Sequence, residues 1–126
     1  MKKVVLLACL ILVFSCKKET QEAFGQPNLT EVSQTPEQLG KSIFEGKGNC
    51  VACHKINEKL VGPSIQDIAK IYKAQNGDIV SFLKDDAKPI VDPTQYEVMK
   101  TNFALTKAMT DEELKGLEAY IYSSIK

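Results

Sequence analysis

The 126-residue sequence contains no arginine and only one histidine. All 16 basic side chains are lysine, and they balance 16 acidic side chains, so the formal net charge is zero. Nucleic-acid-binding proteins usually combine a basic excess with arginine forks, and this composition therefore argues against that class of function. Because His54 is the one histidine, no site within this chain can have two imidazole ligands.

The sequence also lacks any useful stretch in which apolar and polar residues alternate, so it predicts no β-strand. Its length suits a single domain. The predicted helices are separated by long loops, and the supply of apolar residues for a core is small. We therefore expect an all-α domain in which a bulky apolar cofactor contributes to the core.

The longest apolar run, residues 4–14, is too short to cross a bilayer as a helix. It follows Lys2 and Lys3 and ends at Ser15-Cys16, which resembles a bacterial lipoprotein signal. We expect a signal peptide over residues 1–15 and an acylated Cys16, with ordinary signal-peptidase cleavage nearby as the alternative.

Residues 16–34 are polar and show no sustained apolar period. We expect them to form a lipidated flexible tether, the alternative being an ordered N-terminal extension. Residues 35–126 are then the folded domain. This layout anchors the protein to a membrane of the bacterial envelope, with the domain facing the periplasm or the outside.

Caps, prolines and apolar periodicity predict four main helices. Capping boxes begin the first and last of them, at Thr35 and Thr110. Prolines interrupt the pattern before the last helix, where we expect a loop with at most one short turn of helix. The predicted segments are Thr35–Lys47, Ser64–Ala74, Asp78–Asp85, the loop over residues 88–99, and a last helix from Thr110 whose apolar face is Leu114, Leu117, Tyr120, Ile121 and Ile125.

The pentapeptide Cys50-Val51-Ala52-Cys53-His54 is the most specific functional motif in the sequence. Two thiols three positions apart can each form a thioether with one vinyl group of a haem, and the next residue offers imidazole to the iron. The only histidine stands at the position that this chemistry needs. The motif therefore predicts one covalently bound haem c, attached to Cys50 and Cys53, with His54 as an axial iron ligand.

Three other uses of a Cys-x-x-Cys pair fit this sequence less well. A zinc site needs four ligands, and no second Cys or His pair follows Cys16. A thioredoxin-type redox pair expects a βαβ setting, whereas no strand precedes this motif. A structural disulfide leaves the adjacent His54 unexplained.

From Thr35 to Lys126 the sequence resembles a small bacterial class I cytochrome c, in a monohaem lipoprotein form. Gly40 and Phe44 match the family's Gly-x-x-x-aromatic pattern, and Leu117 and Tyr120 match its Leu-x-x-aromatic partner. The resemblance implies about four to five helices wrapped around the haem. It also implies that the first and last helices cross nearly at right angles, with the glycine permitting close approach.

The resemblance implies two further site residues. Pro63 takes the place of the family proline whose carbonyl accepts a hydrogen bond from the haem histidine, although the bare sequence shows only a turn before a helix. Met99 lies 45 residues beyond His54, where class I cytochromes bring a thioether over the haem. Met109 is the alternative ligand, but its spacing to Leu114 is that of a hydrophobic staple, so we favour Met99. Met99 could instead fill a gap in the core and leave the iron five-coordinate.

Ligation by His and Met implies a carrier of single electrons and not an enzyme, because six-coordinate iron excludes substrates. The expected partners are redox proteins, with a quinol-oxidising complex as donor and a terminal oxidase or reductase as acceptor. The chain could also be a subunit of a larger oxidoreductase. The alternative function is a haem enzyme or gas sensor with an open sixth iron position.

Several lysines near the motif and the proposed methionine ligand allow two interpretations. They either form a patch that steers an acidic partner or are scattered solubilising charges. These lysines are Lys47, Lys55, Lys59, Lys100 and Lys107.

Overall fold

A computed structural model describes residues 34–126. The predicted signal peptide, the lipidation site Cys16 and all but the last residue of the predicted tether lie outside the described residues. Within residues 34–126 there are six α-helices, two 3-10 turns and no β-strand, apart from one isolated bridge between His54 and Lys59. The helices are α1 (Pro36–Glu45), α2 (Ile65–Gln75), α3 (Ile79–Leu83), α4 (Tyr96–Lys100), α5 (Phe103–Thr106) and α6 (Asp111–Ser123), and the 3-10 turns are Cys50–Ala52 and Pro93–Gln95.

The all-α prediction is confirmed, and the four main helices lie where the caps and periodicity place them. The differences fall in the segment after α3. Pro93 begins a 3-10 turn that leads into α4, a position where its missing N–H costs no hydrogen bond. Helix α5 was not predicted, because four residues are too few for a periodic pattern. Residues 34–126 therefore form six helices where four to five were expected.

Both predicted capping boxes are formed. In α1 the Thr35 hydroxyl accepts from the Gln38 amide at 3.3 Å, and the Gln38 side chain accepts from the Thr35 amide at 3.0 Å. In α6 Thr110 and Glu113 exchange the equivalent bonds at 3.2 and 3.0 Å. These reciprocal bonds satisfy amides that have no partner within the helix, so each helix begins at a defined residue.

The N-terminal and C-terminal helices α1 and α6 meet at two glycines. A Cβ added to Gly40 would lie 1.9 Å from the carbonyl oxygen of Gly116, so the backbones touch where neither residue has a side chain. Beside this contact the rings of Phe44 and Tyr120 pack with their centroids 5.3 Å apart. The two patterns that carried the family resemblance thus form one helix–helix contact.

The hydrophobic core lies around α6, which packs against α1, α2 and α3. Helix α5 packs on α3 through buried Phe103, whose ring centroid lies 5.4 Å from that of Phe82, and the buried Thr106 hydroxyl donates to the Leu83 carbonyl at 2.6 Å. None of the helices within residues 34–126 has the length and apolar character needed to cross a membrane. The buried core residues are Ile43, Phe44, Ile65, Ala69, Tyr72, Ile79, Leu83, Leu114, Leu117 and Ile121.

We expect Gly40→Ala to lower the free energy of unfolding by about 1–3 kcal/mol, because the added methyl forces the two helix backbones apart. Urea unfolding followed by circular dichroism measures this loss. Gly116→Ala is the matched control, since its added Cβ would meet its nearest neighbours at 3.2 Å, a distance that small shifts can relieve. Equal losses for the two variants would contradict the proposed tightness at Gly40.

Candidate haem-binding site

A tight turn brings the two thiols and the imidazole of the Cys-x-x-Cys-His motif together. The 3-10 turn Cys50–Ala52 follows Asn49, whose backbone is left-handed with φ of 51°. The Cys50 carbonyl accepts from the amides of Cys53 and His54, at 3.1 and 2.9 Å. Because one carbonyl holds both of these residues, the side chains of Cys50, Cys53 and His54 keep a fixed relation and all line one cavity.

The His54 ring is held by the segment that follows it. Its Nδ1 lies 2.8 Å from the Pro63 carbonyl oxygen. Since a carbonyl can only accept, Nδ1 carries the proton in this bond, and in the neutral ring the lone pair is then on Nε2. The Gly62 amide donates to the Cys53 carbonyl at 2.9 Å, which fixes this segment against the motif. The Pro63 contact therefore selects the tautomer that can bind a metal through Nε2.

Gly62 is a site residue whose role the sequence did not reveal. A Cβ at this position would lie 2.4 Å from Cε1 of His54 and 3.0 Å from Nε2. Only a residue without a side chain leaves the imidazole room to lie where it does. The sequence indicated a Gly-Pro turn, and nothing in it pointed to the ring that packs there.

The motif opens onto a cavity of about 280 Å³ whose walls are mainly apolar. Every helix except α5 contributes to these walls. Cys50 and Cys53 are free thiols, and burial raises the pKa of Cys50 to about 11. Two free thiols, an imidazole with an available Nε2 and apolar walls are what a covalently attached haem requires, so the residues present fit haem c.

The two candidate methionine ligands occupy different places. Met99, on α4, lines the cavity together with the motif. Met109, just before α6, packs against the hydrophobic core and is not among the described residues that line the cavity. The sequence did not identify Asn102, which also lines the cavity and whose Nδ2 lies 3.4 Å from the Gly48 carbonyl. That contact connects the Met99 segment to the loop that carries the motif.

The lysines near the site are largely paired with acidic side chains. Of the five lysines considered above as a possible basic patch, four make an ion pair. The fifth, Lys100, places its ammonium 5.6 Å from the centroid of the Tyr96 ring. Exposed apolar side chains lie within the motif, at Val51, and in the segment that follows it, at Leu60 and Val61. This arrangement favours scattered charges over a basic patch. The ion pairs are Lys47–Glu113, Lys55–Glu58, Lys59–Asp92 and Lys107–Asp85.

A helical fold with two thiols and one imidazole facing an apolar cavity defines the class of c-type haem proteins. Comparison with known proteins leads to the same class, since the sequence profile of the cytochrome c family matches residues 37–124. The chain belongs to the cytochrome c family. More narrowly, it is a small class I c-type cytochrome with a covalently bound haem c.

Three similar proteins are bacterial cytochromes. The chain is 45% identical over 49 residues to cytochrome c-551 of Pseudomonas denitrificans, which covers 39% of this chain and 57% of the relative. For cytochrome c-551 of Pseudomonas aeruginosa the identity is 31% over 84 residues, covering 64% and 72%. For cytochrome c-552 of Nitrosomonas europaea it is 43% over 42 residues, covering 33% and 40%. The chain thus spans less than two thirds of the first and third of these relatives.

We expect Gly62→Ala to reorient or displace the His54 imidazole, because the new methyl would occupy the space of Cε1. The haem methyl resonances of the oxidised protein, which respond to the orientation of the axial imidazole, measure this change. Gly46→Ala is the control: its Cβ would be 2.7 Å from the Ser42 carbonyl oxygen, and none of its close contacts involves His54. Resonances shifted alike in both variants, or in neither, would contradict the role of Gly62.

Proposed function

We propose that this chain carries single electrons on a haem c attached to Cys50 and Cys53, with His54 and Met99 as the axial iron ligands. The observation that supports this most directly is that all four side chains line one cavity, whereas Met109 does not. A second support is the hydrogen-bonded state of His54, whose Nδ1 is engaged with Pro63 at 2.8 Å.

Haem c supplies a one-electron couple between Fe2+ and Fe3+. The chain's own groups determine how that couple behaves. The Pro63 carbonyl fixes the ring plane of His54 and makes its Nε2 a stronger donor. The Met99 thioether is a softer donor than a second nitrogen, which favours the reduced state and raises the potential. Apolar walls keep water away, so few solvent dipoles reorganise when the charge changes.

A haem enzyme or gas sensor remains the competing function, and it requires an open sixth position. The presence of Met99 in the cavity wall favours the carrier, because a thioether bound on that side excludes substrates and gases. The two functions therefore differ in one measurable property, the access of external ligands to the iron.

Replacing each methionine in turn tests this function. We expect Met99→Ala to lose the thioether-to-iron charge-transfer band and to bind carbon monoxide in the reduced state, because the sixth position becomes open. Met109→Ala, the matched control, should keep the band and lose stability by about 1–2 kcal/mol, less than a fully buried methionine, because Met109 is only partly buried. Optical spectra and denaturant unfolding measure the two effects.

Two other outcomes would contradict the assignment. A reversed pattern would mean that Met109 binds the iron. If neither variant differs from a wild type that already binds carbon monoxide, the iron has no methionine ligand and the enzyme or sensor gains support. Denaturing mass spectrometry should find the polypeptide plus one haem in both methionine variants, whereas Cys53→Ser should lose the normal two-thioether attachment.

The proposed setting is the bacterial envelope, with Cys16 lipidated and residues 16–34 acting as a tether between the membrane and the domain. A tether raises the effective concentration of the haem domain near other membrane proteins without adding a contact. The proposed partners are a quinol-oxidising complex as electron donor and a terminal oxidase or reductase as acceptor. The N-terminal sequence supports this setting, because an apolar run after two lysines ends at Ser15-Cys16.

We expect Cys16→Ser to release a haem-containing protein from the membrane or to block its processing, because the thiol that carries the lipid is gone. Fractionation of cells into membranes and soluble extract, followed by haem staining, measures this. Cys9→Ser is the matched control, because Cys9 lies within the predicted signal peptide and should be removed with it. Membrane retention of the Cys16 variant at the wild-type level would point to docking on another protein.

A further inference from the structure

Asp85 adopts a backbone conformation that aspartate rarely takes. It follows α3 with φ of 64°, in the left-handed region. Its amide donates to the Phe82 carbonyl and that of Asp86 donates to the Ser81 carbonyl, both at 2.9 Å. These two bonds form a Schellman motif, in which the left-handed position usually belongs to glycine. An aspartate there costs conformational energy, which directs attention to what its side chain does.

The Asp85 carboxylate accepts two hydrogen bonds from the segment that contains Met99. The Tyr96 hydroxyl donates to Oδ1 at 2.8 Å, and the Lys107 ammonium donates to Oδ2 at 2.8 Å. Tyr96 begins α4, and Lys107 directly follows α5. One side chain at the end of α3 therefore ties down both ends of residues 96–107, which we call the methionine segment.

Tyr96 connects this tie to the cavity. It lies three residues before Met99, so the two share a face of α4, and both line the cavity. The Tyr96 ring packs against Phe82 and Phe103, with centroids 6.3 and 6.1 Å apart. A bond that fixes the Tyr96 hydroxyl thus restricts the helical turn that presents the thioether.

The groups around Asp85 stabilise the ionised form of its carboxylate, which accepts both hydrogen bonds. Hydrogen bonding from Lys107, and then from Tyr96, lowers the pKa of the Asp85 carboxyl. Helix α5 has a second tie to the end of α3, from the Thr106 hydroxyl to the Leu83 carbonyl at 2.6 Å. Loss of Asp85 should therefore loosen the methionine segment without detaching it.

We propose that Asp85 is a positioning residue for Met99. Asp85 holds the methionine segment closed over the cavity and so keeps external ligands from the sixth position of the iron. This inference rests on the proposed ligation by His54 and Met99. It concerns the equilibrium between bound and released thioether, because an external ligand binds only the released state.

Imidazole binding to the oxidised haem-loaded protein measures that equilibrium. Asp85→Gly removes both hydrogen bonds while relieving the left-handed backbone, so it should not destabilise the fold through strain. We expect it to tighten the apparent imidazole affinity roughly fivefold, because the released state becomes more populated. Tyr96→Phe, which deletes only the hydroxyl, should tighten it in the same direction.

Two further variants separate positioning from general stability. Asp85→Asn tolerates the left-handed backbone and keeps one acceptor oxygen for Tyr96 but offers none to Lys107, so its imidazole affinity should lie between those of the wild type and Asp85→Gly. Asp111→Asn weakens an ion pair of similar length with Lys84, at 2.7 Å, outside the methionine segment, and should leave imidazole binding unchanged. Denaturant unfolding of each variant reports stability independently.

Suppose that the wild-type protein shows the thioether charge-transfer band. If Asp85→Gly and Tyr96→Phe then both bind imidazole with wild-type affinity, the positioning role of Asp85 is overturned, while the ligation by Met99 is not. Equal tightening in Asp111→Asn would overturn it as well, because the effect would then follow from any lost ion pair. A wild-type protein that lacks the band and binds imidazole as tightly as Met99→Ala would overturn the ligation itself, and the inference with it.

Discussion

The backbone contact between Gly40 and Gly116 determines how closely α1 and α6 approach, and both helices contribute to the wall of the haem cavity. Because neither residue has a side chain, α1 and α6 approach until the Gly116 carbonyl oxygen lies 1.9 Å from where a Cβ of residue 40 would be. Phe44 and Leu117 then face the cavity from the two sides of this crossing. The Cys-x-x-Cys-His loop leaves α1 only a few residues later, so its position follows from that of the helix.

The two sides of the cavity are held in different ways. On the histidine side, the bonds from the Cys50 turn to the Pro63 carbonyl join residues close together in sequence, and long-range contacts such as the Lys59–Asp92 ion pair add to them. On the methionine side, the ties are long-range side-chain contacts, such as those of Asn102 and Thr106. Single side chains on the methionine side thus join segments that no local backbone bond connects.

Charge has a minor part in shaping the surface near the site. Each of Lys47, Lys55 and Lys59 has an acidic partner, so the field that a distant protein meets is weaker than the lysines alone would give. Surface pairs of this kind also add little to stability. The exposed apolar side chains within the motif and in the segment that follows it, such as Val51 and Val61, are the more distinctive feature of this face.

The parts of the molecule that the sequence determined are those whose cause is local. The capping boxes at Thr35 and Thr110, the four main helices and the Cys-x-x-Cys-His loop all depend on residues within a few positions of one another, and each was predicted. Prolines correctly marked an irregular stretch after α3. They gave no sign of α5, which depends on the burial of Phe103 and on the bond from Thr106 to a distant carbonyl.

Only the tertiary structure decided which groups meet. The spacing of Met99 and Met109 favoured one of them, but which side chain lines the cavity depends on how α4 packs against the rest of the fold. The contacts of Gly62 with an imidazole ring and of Asp85 with Tyr96 had no counterpart in the pattern of residues. Local spacing limits the backbone of one segment at a time, whereas these contacts arise because packing brings together separate segments whose relative positions no single segment encodes.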